Sequence, residues 1–110
     1  MATLSDIPNL WYDPDAQYDF GRTPIFWAAS ERHIEIVKIL APLTDNPNAP
    51  NNDGETPIYK AARYGHTEIV KILAPLTENP NAPSNIGSTP VLIAVFHGHT
   101  EIVTFLTNIT

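Results

Sequence analysis

Apolar and polar positions in this chain follow a helical rhythm that restarts at regular intervals. Ile58, Ala61 and Ala62 fall at i, i+3 and i+4, and Ile69, Val70, Ile72 and Leu73 form a second apolar cluster after Gly65. Each set makes one inward stripe on a helix. Thr56-Pro57 is a start signal: the threonine oxygen can accept from orphan N–H groups, and proline suits the first helical position. Gly65 is a stop signal, because glycine takes the left-handed conformation without a steric penalty. The second helix is expected from about Thr67 to about Ala74, with Pro75 ending it or kinking its last turn. Lys71 is expected to point outward, within i, i+3 reach of Glu68. Asn79-Pro80-Asn81-Ala82-Pro83 excludes helix and predicts an extended, turn-rich connector.

The pattern recurs without gaps. Gly54 to Ile86, moved back by 33 residues, matches Gly21 to Asp53 at 23 of 33 positions; Gly87 to Thr110 matches its first 24 positions, 12 of them identically. A fixed period of this size marks a stacked-repeat protein. The expected helices of the first unit are Pro24–Ser30 and about Ile34–Ala41, and those of the third are Pro90–Phe96 and about Thr100–Leu106. No helix pair can bury its stripe alone, so neighbouring units must share one core. Asp13-Pro14-Asp15-Ala16 matches Asn46-Pro47-Asn48-Ala49, so the register begins before Gly21. Ahead of it, Leu4, Ile7, Leu10 and Trp11 could cover the end of the stack, with Asp6 capping a short turn. The organisation expected is one domain over 1–110: an N-terminal arm and degenerate unit over 1–20, then units at 21–53, 54–86 and 87–110.

Composition narrows the function. The chain has 110 residues, no cysteine and a formal net charge of −6. Absence of cysteine excludes disulfides, thiolate catalysis and thiolate zinc sites. An acidic chain is a poor match for nucleic acid or an anionic membrane surface, and a partner with basic character fits it better. No segment approaches the ~20 apolar residues that span a membrane. The N-terminus shows no basic region followed by an apolar run, so no secretory leader is expected. Asn108-Ile109-Thr110 has glycosylation spacing, a triplet common by chance.

Thr-Pro-hydrophobic, then Gly-His, then Glu-Ile-Val recur at the 33-residue period, as Thr23-Pro24-Ile25, Thr56-Pro57-Ile58 and Thr89-Pro90-Val91, His33, Gly65-His66 and Gly98-His99, and Glu35-Ile36-Val37, Glu68-Ile69-Val70 and Glu101-Ile102-Val103. This pattern resembles the ankyrin repeat over about residues 13–110. The resemblance implies an all-α repeat solenoid: helix-turn-helix units joined by extended, hairpin-like loops. It also implies a non-catalytic module for binding another protein; no cofactor is expected, and the missing cysteines fit an intracellular location, cytoplasmic or nuclear. Three departures stand out. Phe26, Tyr59 and Leu92 occupy a column that usually holds a loop-tying histidine, so packing must replace that tie. Pro80 and Pro83 stand in a run that usually carries glycine, which puts the usual hairpin hydrogen bonds at risk. Arg32 stands where the first unit should have its helix-stopping glycine.

Ankyrin stacks bind partners on a concave face of hairpin tips and first helices. Carried over to this chain, the tips hold Phe20, Arg22, Asp53, Glu55, Ile86 and Ser88, and the helix positions hold Ser30, Glu31, Arg63, Tyr64, Phe96 and His97. These columns vary among units that otherwise repeat, and their aromatic and arginine residues are of hot-spot type. Plain unconstrained surface is the competing reading. Trp27 shares a column with Lys60 and Ile93 and is expected to pack under Leu10 or Trp11. His33, His66 and His99 share a column too, but units stack about 10 Å apart, too far for one metal, so they are expected to be structural. No nucleophile motif or phosphate-cradling loop appears, and an enzyme is not expected. One stretch fits badly. Val91-Leu92-Ile93-Ala94-Val95-Phe96 is apolar nearly all round, whereas a terminal repeat should be polar outside. It predicts further repeats, cover by another chain, or unusually full inward packing; a self-associating array through this unit is the alternative function.

Overall fold

A computed structural model describes residues 13–110, and the expected N-terminal arm, with Asp6 and the contact of Leu10 or Trp11 with Trp27, lies outside the described residues. The described chain holds six α-helices and no strand: α1 Pro24–Ser30, α2 Ile34–Leu40, α3 Pro57–Tyr64, α4 Thr67–Leu73, α5 Pro90–Phe96 and α6 Thr100–Ile109. None of them is long and apolar enough to cross a membrane. Each pair is an antiparallel hairpin of helices. The pairs stack so that α1, α3 and α5 form one layer and α2, α4 and α6 the other. This is the all-helical repeat solenoid that the 33-residue period predicts.

All three first helices start at a threonine cap, and at α1 Thr23 Oγ1 accepts from Phe26 N. α3 and α5 add a second cap; in that column α1 has Asp15, which accepts from Asp45 N instead. Thr56 Oγ1 accepts from Tyr59 N at 3.0 Å, and Asn48 Oδ1, ten residues upstream, accepts from Ile58 N at 3.1 Å. The third unit repeats the device with Thr89 and Asn81. Threonine and connector asparagine thus satisfy one orphan donor each at the starts of α3 and α5, while Pro57 and Pro90, without an N–H, need no partner. Gly65 ends α3 at φ 75°, and Arg32 adopts the same left-handed geometry at φ 61° after α1. α2 and α4 stop one residue earlier than expected, at Leu40 and Leu73, and pass into 3-10 turns at Ala41–Leu43 and Ala74–Leu76 that carry Pro42 and Pro75. α6 carries no such proline and runs three residues beyond its expected end, to Ile109.

The core is continuous through the three units: Ile25, Ile36, Leu40, Ile58, Ile69, Leu73, Ile102 and Leu106 are fully buried, with alanines at 28, 29, 61, 62 and 94 between the inner helices. Small residues there let the inner helices approach closely, while the branched side chains of the outer helices fill the space behind.

Polar joints between units differ in several ways from the sequence expectation. Lys71 does not pair with Glu68; it reaches Glu101 of the next unit at 2.7 Å. Lys38 lies 3.8 Å from both Glu35 and Glu68. The hairpin bonds survive the prolines, because these fall outside the tip: Asn51 N donates to Glu55 O and Ser84 N to Ser88 O. Successive tips are also stitched together, Asn52 N donating to Phe20 O at 2.8 Å and Asn85 N to Asp53 O at 2.9 Å. Nor is the tie of the missing histidine wholly lost. Tyr59 is buried and its hydroxyl meets Ser88 Oγ at 3.1 Å, across the joint to the third unit. The unusually full inward packing of α5 is excluded: Pro90 and Ala94 of that helix are buried, Val91 and Ile93 only partly so, and the rest is exposed.

Candidate functional site

Hairpin tips and inner helices enclose an open groove of about 620 Å³ along one face of the first two units. Its near edge is the first tip. Phe20 sits there at φ 62°, one of two non-glycine residues with positive φ among the described residues. A left-handed backbone is costly for a bulky side chain. The ring is nonetheless 71% exposed, and the Arg22 guanidinium lies 5.2 Å from its centroid. Asn52 N, bonded to Phe20 O, holds the tip in place.

The floor is polar and tied down. Lys60 Nζ stands 3.2 Å from Glu55 Oε1, with both side chains less than a fifth exposed. Asn51 Nδ2 donates to the same carboxylate oxygen at 3.0 Å, and Asn51 Oδ1 accepts from the backbone of Asp53 and Glu55. Partial burial strengthens such a pair beyond an exposed one, because fewer waters compete. Phe26 is buried beneath the groove, and Ser30 donates to its carbonyl at 2.9 Å.

The far edge is the end of α3. Tyr64 is half exposed, with Arg63 and Lys60 at 5.8 and 6.0 Å from its ring centroid. Both edges therefore present an aromatic ring with a cation beside it, an arrangement that adds electrostatic attraction to apolar area. The groove and its rim carry three cations, Arg22, Lys60 and Arg63, against three carboxylates, Glu31, Asp53 and Glu55. This face is thus neutral on a chain of charge −6.

Seven of the twelve residues singled out from the sequence line this groove together: Phe20, Arg22, Ser30, Glu31, Asp53, Glu55 and Tyr64. Arg63 flanks it through its contact with Tyr64. Ile86, Phe96 and His97 lie apart on the third unit, all exposed, with Phe96 edge-on to His97 at 5.1 Å. Ser88 is engaged by Tyr59, so it has a duty within the stack. Asn51, Phe26, Lys60 and His66 also line the groove and were not among the twelve. For Lys60 a signal existed, since its column reads Trp27, Lys60, Ile93 and varies as freely as the rest.

The histidine column forms inter-unit joints. His66 Nδ1 donates to Ala29 O and His99 Nε2 to Arg63 O, each at 3.0 Å. His33 instead packs its ring against Trp27, 4.8 Å between centroids. Among the described residues no group of three or more His, Asp or Glu side chains converges as a metal site would require.

Comparison with known proteins agrees with this architecture. No curated protein matches the chain. A family model described as ankyrin repeats in three copies matches residues 4–84 and again 43–109. With the 33-residue period, the Thr-Pro caps, the Gly-His turns and the stacked helix pairs all in place, the chain belongs to the ankyrin repeat family.

Proposed function

We propose that this chain, whose repeats belong to a family of generally protein–protein interaction modules that are typically non-catalytic, binds its partner protein in the groove between the first two tips and α1 and α3, with Phe20 and Tyr64 as the anchors. The observation that carries this reading is Phe20. Its backbone is held left-handed by the tip, and its ring stands 71% exposed beside the Arg22 guanidinium rather than in the core. Strain and exposure combined at one residue are expected where a site is arranged for binding. The rigid Lys60–Glu55–Asn51 floor supports the same conclusion, since fixed polar groups cost little further ordering on association.

The partner segment that suits this groove offers an apolar side chain between the two aromatic edges and polar groups above the Lys60–Glu55 pair. Basic residues outside the contact would be attracted by the acidic remainder of the chain.

The test is a peptide-display selection against the chain, followed by binding of the selected peptides to Arg63→Ala/Tyr64→Ala. Loss of affinity by about 30-fold or more is expected, the scale of a hot spot, with an unchanged melting temperature because neither side chain is in the core. Peptides that bind the double variant as tightly as the parent would remove this face from consideration.

A further inference from the structure

The two ends of this stack are finished differently. Exposure at the third unit separates the columns that face backward from those that face forward. Ala94 and Ile102 are fully buried, whereas Leu92 and Val95 are 57% and 56% exposed. Their counterparts one unit earlier, Tyr59 and Ala62, are buried. At the first unit the backward-facing set, Ile25, Ala28 and Ile36, is fully buried as well. One end is closed and the other is open.

The open end is also stripped of charge. Residues 21–53 contain seven charged side chains and residues 54–86 six, but 87–110 contain only Glu101, which Lys71 already holds. The side chains that make polar ties to a following unit are missing there too. Leu92 stands in the column of Tyr59, whose hydroxyl reaches Ser88, and Thr104 in that of Lys71. What continues is the apolar part of the inter-unit interface, without its directional pairs. A shallow apolar hollow of about 220 Å³ lined by Ala94, Val95, Gly98, Thr100 and Val103 lies on it.

We propose that a second copy of this chain covers the open end, α5–α6 against α5–α6, in a closed two-fold dimer. Head-to-tail stacking would need the closed first end to open, whereas a two-fold contact uses the same open patch on both copies. Two chains of charge −6 repel one another wherever like charges meet, and this patch is where they meet least. An apolar surface without directional pairs is indifferent to the reversal of direction that a two-fold imposes. Two short helices make a small interface, about 600 Å² per partner or less, so association is weak and concentration-dependent. The proposal uses none of the groove residues and stands apart from the function proposed above.

Light scattering over a wide concentration range tests it. The mass is expected to rise from 12.1 kDa to twice that value and stop. Leu92→Glu, at a site already exposed in the single chain, is expected to remain monomeric at every concentration, with its dilute melting temperature unchanged. Arg63→Ala/Tyr64→Ala is expected to dimerise like the parent. Spin labels on Thr104→Cys, in a chain with no other cysteine, should show a short intermolecular separation, and labels on Glu35→Cys a long one. A monomer throughout, growth beyond the dimer, a dimer that survives Leu92→Glu, or labels at 104 that lie far apart would each overturn the proposal.

Discussion

The imidazole of His99 lies directly over Gly65. A Cβ added to Gly65 would come within 2.7 Å of His99 Cε1, while Nε2 of the same ring donates to Arg63 O at 3.0 Å. One glycine therefore serves two needs: a left-handed end for α3 and room for the ring that bolts the third unit to the second. Gly98 has the same backbone geometry, φ 74°, but nothing stands within 4 Å of where its Cβ would be. Gly98→Ala should cost about 1–2 kcal/mol, the left-handed penalty alone. Gly65→Ala should cost more, because the ring must also leave its seat. Urea unfolding of the two variants measures the difference, and equal losses would mean that the histidine joint is energetically idle.

Arg32 occupies the equivalent position in the first unit at φ 61°. Arg32→Gly should relieve that strain by about 1–2 kcal/mol and return part of it as unfolded-chain entropy, about 0.4–1 kcal/mol. A net stabilisation of up to about 1.5 kcal/mol is expected, read as a higher denaturation midpoint with an unchanged slope. A destabilised variant would show that the arginine side chain contributes more than its backbone costs.

Two ion pairs invite comparison. Lys60–Glu55 is less than a fifth exposed on both sides, whereas Lys71–Glu101 is shorter at 2.7 Å but 45% and 67% exposed. Burial should outweigh distance. Double-mutant cycles should give a coupling of about 1 kcal/mol or more for the first pair and no more than about 0.5 kcal/mol for the second. Raising the salt concentration should weaken the second far more.

The Tyr59 hydroxyl bridges two units through Ser88 Oγ. Tyr59→Phe should cost about 0.5–1.5 kcal/mol, since the ring keeps its buried seat, as Phe26 does in the unit before. Ser88→Ala should cost a similar amount, and the double variant little more than either alone if the bond is what both lose.

Asn48 and Asn81 are the least conspicuous of the structural side chains. Asn48→Ala should cost about 1–2 kcal/mol, leaving the N–H of Ile58 buried without an acceptor. Asn46→Ala, on an exposed residue of the same connector, should cost a few tenths. Thermal unfolding of the pair checks the contrast.

Much of this was legible in the residues themselves, because a repeat states its own register. Thr56-Pro57 and Gly65 mark the ends of α3 by local chemistry, and those marks act within a few residues of chain. The inner face is equally local: alanine pairs and branched residues at helical spacing have one stripe to bury. Joints between units were harder to read. Lys71 could reach Glu68 or Glu101 by its length alone, and the stack chose Glu101, 30 residues away. Tyr59 reads as a packing residue until Ser88 is brought within 3.1 Å. Lys60 belongs to a column with a tryptophan and an isoleucine, so its place on the groove floor depends on Glu55 being folded over it.

The sequence by itself determined the period, the helices, their caps and the apolar stripes, because these follow from backbone and solvent preferences that each short segment carries alone. Only the tertiary structure decided which candidate side chains share a groove, which are spent on holding units together, and that one end of the stack is closed while the other is open. Those outcomes depend on the offset between neighbouring units, and that offset is a compromise among contacts from residues about 30 positions apart which no single segment contains.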